Sequence, residues 1–296
     1  MPKIQTYKEL KTKLDIFENC VRNICKEERG SNIFVCAGDP GLGKTYKARA
    51  ILNELLNKKQ IKAFEEVNSN MKPFTLYQKM WKLREGGVIL IDDVNDILED
   101  KKVGIPLLKA ATDSYAVRPV SWNTNDYRVV KVSKFNPKDN DEVFEKFNAI
   151  CDSKTKLFAL RESGDAVPDK FYFKGVIIVI TNKSWIAFDK LSDGAIGNRG
   201  LHMELRVTLD CAIEYVKKIA PTMKEYLTLK LNKKIIDPVL KYITTDKDVL
   251  NYYLSECVKP GLRIFGKMCD SYINCGGKNG LTLDNLKAAS TKEVNN

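Results

Sequence analysis

Apolar residues recur at three- and four-residue steps from Tyr7 through Leu10, Leu14, Phe17 and Val21 to Ile24. That spacing lines one face of a helix. Thr6-Tyr7-Lys8-Glu9 precedes it as a capping box, in which a hydroxyl and a later carboxylate satisfy free N–H groups at a helix start. A helix is therefore expected from here to near Gly30. The pattern then changes to short aliphatic runs, which read as buried strands of a parallel sheet. Asn32 to Ala37 is one, Val88-Ile89-Leu90-Ile91 another, and Val176-Ile177-Ile178-Val179-Ile180 a third. Ile61 to Val67 and Met203 to Val207 read as further strands. Helical patterns lie between them: Thr45 to Lys58, Thr75 to about Arg84 behind a second capping box (Thr75-Leu76-Tyr77-Gln78), and Ile105 to Ser114.

After Thr208 the runs become helical. Cys211 to Ile219 is expected as a helix, Tyr226 to Ile236 as extended or irregular chain, and Pro238 to Ile243 as a short helix. Thr245-Asp246-Lys247-Asp248 caps a helix through Leu254 and Cys257, and Gly261-Leu262-Arg263 opens another that Gly276-Gly277 ends. Leu281 to Ala289 adds a turn, and Ser290 to Asn296 reads as a frayed tail. Strands alternating with helices, then helices alone, predict an α/β core over residues 1–208 and a helical domain over 209–296.

Between Asn123 and Lys170 the chain is polar and its pattern weak. Tyr127-Arg128-Val129-Val130-Lys131-Val132-Ser133-Lys134-Phe135 is β-rich and basic, with aromatics interleaved. Phe144, Phe147 and Ile150 mark a short amphipathic helix. The segment reads as an insertion in the core. It is a candidate nucleic-acid contact, because cations track phosphates while rings stack on bases; a plain twisted hairpin is the alternative.

The chemistry concentrates at Gly38-Asp39-Pro40-Gly41-Leu42-Gly43-Lys44-Thr45, which fits the pattern Gly-x4-Gly-Lys-Ser/Thr at every fixed position. Glycines let backbone N–H groups close around an anionic phosphate. Lys44 supplies a point charge for the β- and γ-phosphates and Thr45 a hydroxyl for Mg2+. The following helix turns its positive end to the same anion. The run Val88–Ile91 ends in Asp92-Asp93, at the end of a parallel strand where ligand chemistry collects. Asp92 is expected to help hold Mg2+ and Asp93 to orient or deprotonate the attacking water. The run Val176–Ile180 is tipped by Thr181-Asn182, and Arg199 follows in Ala195-Ile196-Gly197-Asn198-Arg199-Gly200.

Composition changes this picture little. The 296 residues carry a formal net charge of +11, which favours an anionic partner such as nucleic acid, with a basic solvated surface as the competing reading. Eight cysteines form no Cys-x2-Cys pair and the single histidine is His202, which argues against a zinc site. Thiols without a framework suit a reducing cytosol. No apolar run is long enough for a bilayer, so no membrane partner is expected.

The order of phosphate loop, Asp-Asp strand, strand ending in Asn and lone Arg before the last strand resembles an AAA+ ATPase over roughly Asn32 to Met268. The Pro119-Val120-Ser121-Trp122 element, the polar insertion and the block from Phe173 to Asn182 look most like small AAA+ proteins of tailed bacteriophages. The resemblance implies a P-loop NTPase core with a central parallel sheet flanked by helices and a C-terminal helical lid. ATP and Mg2+ are the implied cofactors. Lys44 and Thr45 match the Walker A lysine and hydroxyl, and Asp92 the Walker B metal residue. Asp93 stands where the family usually has glutamate. Asn182 matches the sensor-1 residue, Arg199 the arginine finger that reaches a neighbouring subunit's ATP, and Arg263 the sensor-2 arginine. A homo-oligomeric ring or spiral in the cytoplasm, or in the host cytoplasm if the chain is viral, is implied. The leading functional expectation is an ATPase acting on DNA or on a replication or recombination complex. A protein-remodelling ATPase and a nucleotide-gated assembly scaffold with weak hydrolysis are the alternatives.

Overall fold

The structure is a computed structural model that describes residues 3–68, 71–93, 97, 100–191, 194 and 196–294. The chain divides into two compact units. One comprises Glu18–Cys36 and Ala48–Met203; the other comprises Met1–Phe17, Ala37–Lys47 and Glu204–Asn296.

A five-stranded sheet is ordered β2-β3-β8-β1-β9, with β1 at Ile33–Gly38, β2 at Phe64–Asn68, β3 at Val88–Asp92, β8 at Val176–Thr181 and β9 at Leu201–Leu205. Every residue of β1 and β8 is buried, as continuous aliphatic runs demand of inner strands. The pairs β2·β3 and β3·β8 are parallel, with Asn68 opposite Asp92 and Asp92 opposite Ile180. Helices α1 (Tyr7–Ile24), α2 (Lys44–Asn57), α3 (Pro73–Lys82) and α4 (Gly104–Ala111) accompany these strands. This is the expected α/β class, a parallel sheet flanked by helices with further helices toward the C-terminus. The stripe on α1 is used as its spacing implies, with Leu10, Leu14, Phe17, Val21 and Ile24 buried. The helix stops at Ile24, short of Gly30, where that stripe runs out.

In the larger unit, residues 123–170 are packed chain. Strand β4 (Arg118–Ser121) pairs antiparallel with β7 (Lys170–Phe173), and between them lie helices α5 (Asn140–Asp152) and α6 (Thr155–Glu162); helix α7 (Trp185–Leu191) follows β8. Aromatic rings stitch the insertion and the residues flanking it to α3. Trp81 meets Phe147 at 5.6 Å and Phe171 at 5.5 Å, and Tyr77 meets Trp122 at 5.4 Å. Such pairs add roughly 0.5–1.5 kcal/mol each beyond burial. The expected β-rich run Tyr127–Phe135 is mostly not strand. Only β5 (Val129–Val130) pairs, in parallel, with β6 (Val167–Pro168), and Ser133–Phe135 forms a 3-10 turn. The cause is buried Asp169. Its carboxylate accepts the Val132 and Ser133 N–H groups at 2.8 and 2.9 Å and the Ser133 hydroxyl at 2.6 Å, taking those donors from any ladder. Helix α3 also differs from its expected cap. It begins with Pro73 at its first position and no side-chain cap, an N1 proline being pre-set for helical φ.

In the second unit, α8 (Leu209–Ile219) is capped by Thr208. An antiparallel hairpin of β10 (Glu225–Tyr226) and β11 (Leu229–Lys230) follows. Then come α9 (Lys233–Thr245), α10 (Lys247–Ser255), α11 (Leu262–Asn274) and α12 (Leu283–Val294). Helix α9 starts earlier than expected, because Asn232 caps it and Pro238 is accommodated within it. Asp246, not Thr245, caps α10, accepting from Asp248 and Val249 N–H. Helix α12 replaces the expected turn and tail as far as Val294; Asn295 and Asn296 lie outside the described residues. No helix among the described residues is long and apolar enough to cross a membrane.

Candidate nucleotide site

The glycine loop joins the end of β1 to the start of α2, the strand–loop–helix context its pattern requires. Gly41 and Gly43 sit at φ 75° and 77°, left-handed values that side chains disfavour. Gly38 closes β1, where an added Cβ would lie 2.6 Å from the Leu205 carbonyl oxygen. Lys44 is buried, and its Nζ donates to the carbonyls of Gly38 at 3.0 Å and Asp39 at 2.7 Å. Thr45 is half-buried in the first turn of α2. Leu42 is buried, and its carbonyl accepts the Tyr215 hydroxyl at 3.0 Å. Pro40 lies half-buried beside it.

Asp39 does more than its place in a loop pattern suggests. Its carboxylate accepts from Lys259 Nζ at 2.6 Å, Arg206 Nη1 at 2.9 Å and the Val207 N–H at 2.8 Å. Burial alone would raise its pKa, but the hydrogen bonds from Lys259, Val207 and Arg206 outweigh it and hold the carboxyl below its ordinary value. Asp39 therefore faces protein cations and ties the loop to the segment after β9 and to the residue two before Gly261. Neither partner was legible in the sequence, since they lie 167 and 220 positions away.

The same unit brings the start of α11 to the loop. Leu262 N–H donates to the Gly41 carbonyl at 3.2 Å. A Cβ built on Gly41 would stand 2.8 Å from the Gly261 Cα, so only glycine permits this approach. Arg263 follows, exposed, in the first turn of α11.

In the other unit, Asp92 ends β3 half-buried, and Asp93 turns away at φ 54°. Asn182 follows β8, and its Nδ2 donates to Asp93 Oδ2 at 3.1 Å, while the Asp93 N–H donates to the Ile180 carbonyl at 2.8 Å. Parallel register therefore brings Asp93 and Asn182 together at the carboxyl ends of their strands. Arg199 is elsewhere. Its neighbour Gly200 abuts Ile33, where an added Cβ would lie 2.6 Å from the Ile33 carbonyl oxygen. The adjacent Asn32 carbonyl accepts from Ile177 N–H near the start of β8. From Ile177 to Asn182 the strand advances about 16 Å at its usual rise. Arg199 and the Asp93–Asn182 pair thus occupy opposite ends of the sheet.

Arg199 Nε lies 3.9 Å from Asp113 Oδ1. Its Nη1 is buried and, among the described residues, has no hydrogen-bond partner. The Asp113 segment is itself fixed. Asn32 Nδ2 donates to the carbonyls of Asp113 and Tyr115 at 2.6 and 3.0 Å, and Arg118 Nη1 donates to the carbonyl of Tyr115 at 2.9 Å. Burial lowers the Arg118 pKa to about 10. The described residues hold no cluster of three or more His, Cys, Asp or Glu fit for a metal. Thr45 and Asp92, the residues expected for Mg2+, carry hard oxygens of the kind that ion takes, one in each unit.

No protein-family model matches the chain. An uncharacterized 36.7 kDa protein from the nrdC-mobD intergenic region of Enterobacteria phage T4 is 32% identical over 123 residues, 40% of this chain and 37% of that protein. The chain therefore spans little more than a third of the length of the curated relative it matches. Among solved structures, the Thermotoga maritima RuvB Holliday junction branch migration motor is similar at 16% identity and a TM-score of 0.41, over 96% of this chain and 68% of that one. Hsp104 in a closed state with ATPγS and casein gives 12% and 0.45 over 95% and 41%. A DNA replication initiation factor gives 13% and 0.35 over 94% and 82%. At these identities the reading of the site rests on the residues of this chain.

Proposed function

We propose that the chain is a Mg-dependent ATP hydrolase of AAA+ type, phage-like, that works as a homo-oligomeric ring or spiral and couples turnover to DNA or a DNA-processing complex. The observation that carries the reading is the glycine cradle from Gly38 to Thr45, left-handed at Gly41 and Gly43, with Lys44 at its closing end. In this reading, backbone N–H groups of the loop and Lys44 hold the β- and γ-phosphates. Thr45 and Asp92 hold Mg2+, which when bound neutralises charge on the phosphates. Asp93 takes the proton of the attacking water, and Asn182, already donating to Asp93, keeps that carboxylate oriented. Arg263 contributes positive charge from the helix that abuts the loop. Arg199 stands at the other end of the sheet from Asp93, so it serves a neighbouring copy's nucleotide. Such an arginine requires head-to-tail packing, which closes as a ring or continues as a spiral. A likeness over part of the chain to a phage T4 protein fits the phage-type portion of the reading, and host cytoplasm is the corresponding compartment.

The test is Mg-ATP binding and turnover by the purified chain, alone, with DNA and with unfolded protein. Lys44→Ala is expected to lose binding or turnover, and normal turnover by that variant refutes the assignment. Stimulation by unfolded polypeptide but not DNA replaces the DNA arm with protein remodelling. One observation favours a nucleotide-gated scaffold as second reading: Asp93 is a carbon shorter than the family's usual glutamate and is already engaged by Asn182. ATP-dependent assembly with negligible turnover selects it.

A further inference from the structure

The acidic and basic residues of the insertion cancel. Residues 123–170 hold nine Lys or Arg and nine Asp or Glu. Arg128 is spent on Asp126 at 2.6 Å, and Arg161 on Asp152 at 2.7 Å. The stretch Lys217–Lys234 is different, with six lysines against the single acid Glu225. It covers the last turn of α8, the β10–β11 hairpin and the first turn of α9. All six lysines, at 217, 218, 224, 230, 233 and 234, are exposed. Among the described residues, only Lys230 of the six pairs with an acid, Glu225 across the hairpin at 2.7 Å.

The hairpin tip is also unusual. Leu227 is 84% exposed and sits at φ 53°. An apolar side chain is held in water on backbone that disfavours it, and backbone outliers of this kind collect at functional contacts. The hairpin is nevertheless anchored. Tyr226 covers Gly266 of α11 so closely that an added Cβ would lie 2.2 Å from the ring. Five residues earlier, about 7.5 Å along the helix axis, Gly261, the N-cap residue before α11, meets Gly41 of the phosphate loop.

We propose that the β10–β11 hairpin and its flanking lysines bind the phosphodiester backbone of DNA, and that α11 couples this contact to the phosphate loop. A two-stranded ribbon fits a groove, and a basic surface with one protruding apolar residue matches phosphates flanking it. The coupling rests on the nucleotide reading above; the DNA surface does not. Nucleotide bound at the loop shifts Gly41 against Gly261, α11 moves with it, and Tyr226 carries the movement to the hairpin.

The experiment measures binding of the full chain to a labelled 30-base-pair duplex, and to the matching single strand, across a KCl series, with Mg-ATP binding titrated separately. Replacing Lys224, Lys230, Lys233 and Lys234 together by Ala should reduce the magnitude of the log–log salt slope by about three to four and weaken duplex binding about tenfold or more, with thermal stability and Mg-ATP affinity unchanged. Lys131, Lys134 and Lys138 to Ala should leave the slope within one unit. Mg-ATP should shift wild-type DNA affinity by about fivefold or more, and Gly266→Ala should abolish the shift. An unchanged slope in the hairpin variant, a loss confined to the insertion variant, or no DNA binding by the wild type overturns the surface. An ATP shift that survives Gly266→Ala overturns the coupling. Failure to bind Mg-ATP sinks the nucleotide reading instead, and the lysine slope still decides the surface.

Discussion

The two ends of the sheet are built in opposite ways. At the carboxyl end, Asp93 and Asn182 satisfy each other at 3.1 Å, and Asp93 is pinned by its own N–H on Ile180. At the amino end, Arg199 has a loose ion pair at 3.9 Å and a buried Nη1 without a partner among the described residues. A buried unsatisfied donor costs about 1–3 kcal/mol. One end pairs its two polar side chains with each other; the other holds a cation whose hydrogen bonding the described residues leave unfinished. That contrast is what a site shared between copies would produce.

The largest effect should come from separating the two ends genetically. Arg199→Ala is expected to keep Mg-ATP binding and lose about three to five orders of magnitude in turnover. Asp93→Asn should lose turnover as well. Mixing the two should restore activity, since one copy then supplies the carboxylate and another the arginine; absence of rescue at every mixing ratio breaks the comparison. Next comes the loop's own anchor. Asp39→Asn should destabilise the fold by about 2–3 kcal/mol in thermal or urea unfolding, because Lys259 and Arg206 lose their shared anion. Its carboxyl is held below its ordinary pKa when folded, so its contribution is present above the unfolded value of about 3.9 and fades as pH falls through the folded value. Wild type should therefore lose its advantage over Asp39→Asn in acid and keep it at neutral pH.

Asn182→Ala should slow turnover about tenfold to hundredfold with little change in nucleotide affinity, because it frees Asp93 without removing the carboxylate. The smallest change is expected of Asp113→Ala. Its ion pair is long and partly exposed, so stability should move by less than about 1 kcal/mol. Turnover should change less than about threefold if Arg199 acts on a neighbour, whereas a loss matching that of Arg199→Ala would make the pair one functional unit within the chain.

The phosphate loop and the inner strands were legible because their signals are local: a fixed glycine spacing, and aliphatic runs that only a two-sided burial explains. The placement of Asp93 and Asn182 at strand ends was legible too, from the aliphatic runs they tip; the hydrogen bond between them was not. The separation of Arg199 from them was not legible. It depends on where the chain re-enters the sheet after Asn182, which no pattern in that segment encodes. The run Tyr127–Phe135 misled for the same reason. Its residues favour strand, but Asp169, 36 positions from Ser133 and 37 from Val132, claims the donors. The anchoring of Asp39 was hidden more deeply still, because its neighbours in the chain are ordinary loop residues.

The meeting of Gly41 with Gly261 has a mechanical consequence. Most packed elements interlock through side chains, and to slide they must first disengage knobs from holes. Here bare main chain lies on bare main chain, bridged by a single N–H to carbonyl bond from Leu262. Such a seam has no teeth. In the coupling proposed above, what resists a small slip there is that hydrogen bond and the nearby Lys259–Asp39 ion pair, not interlocked side chains.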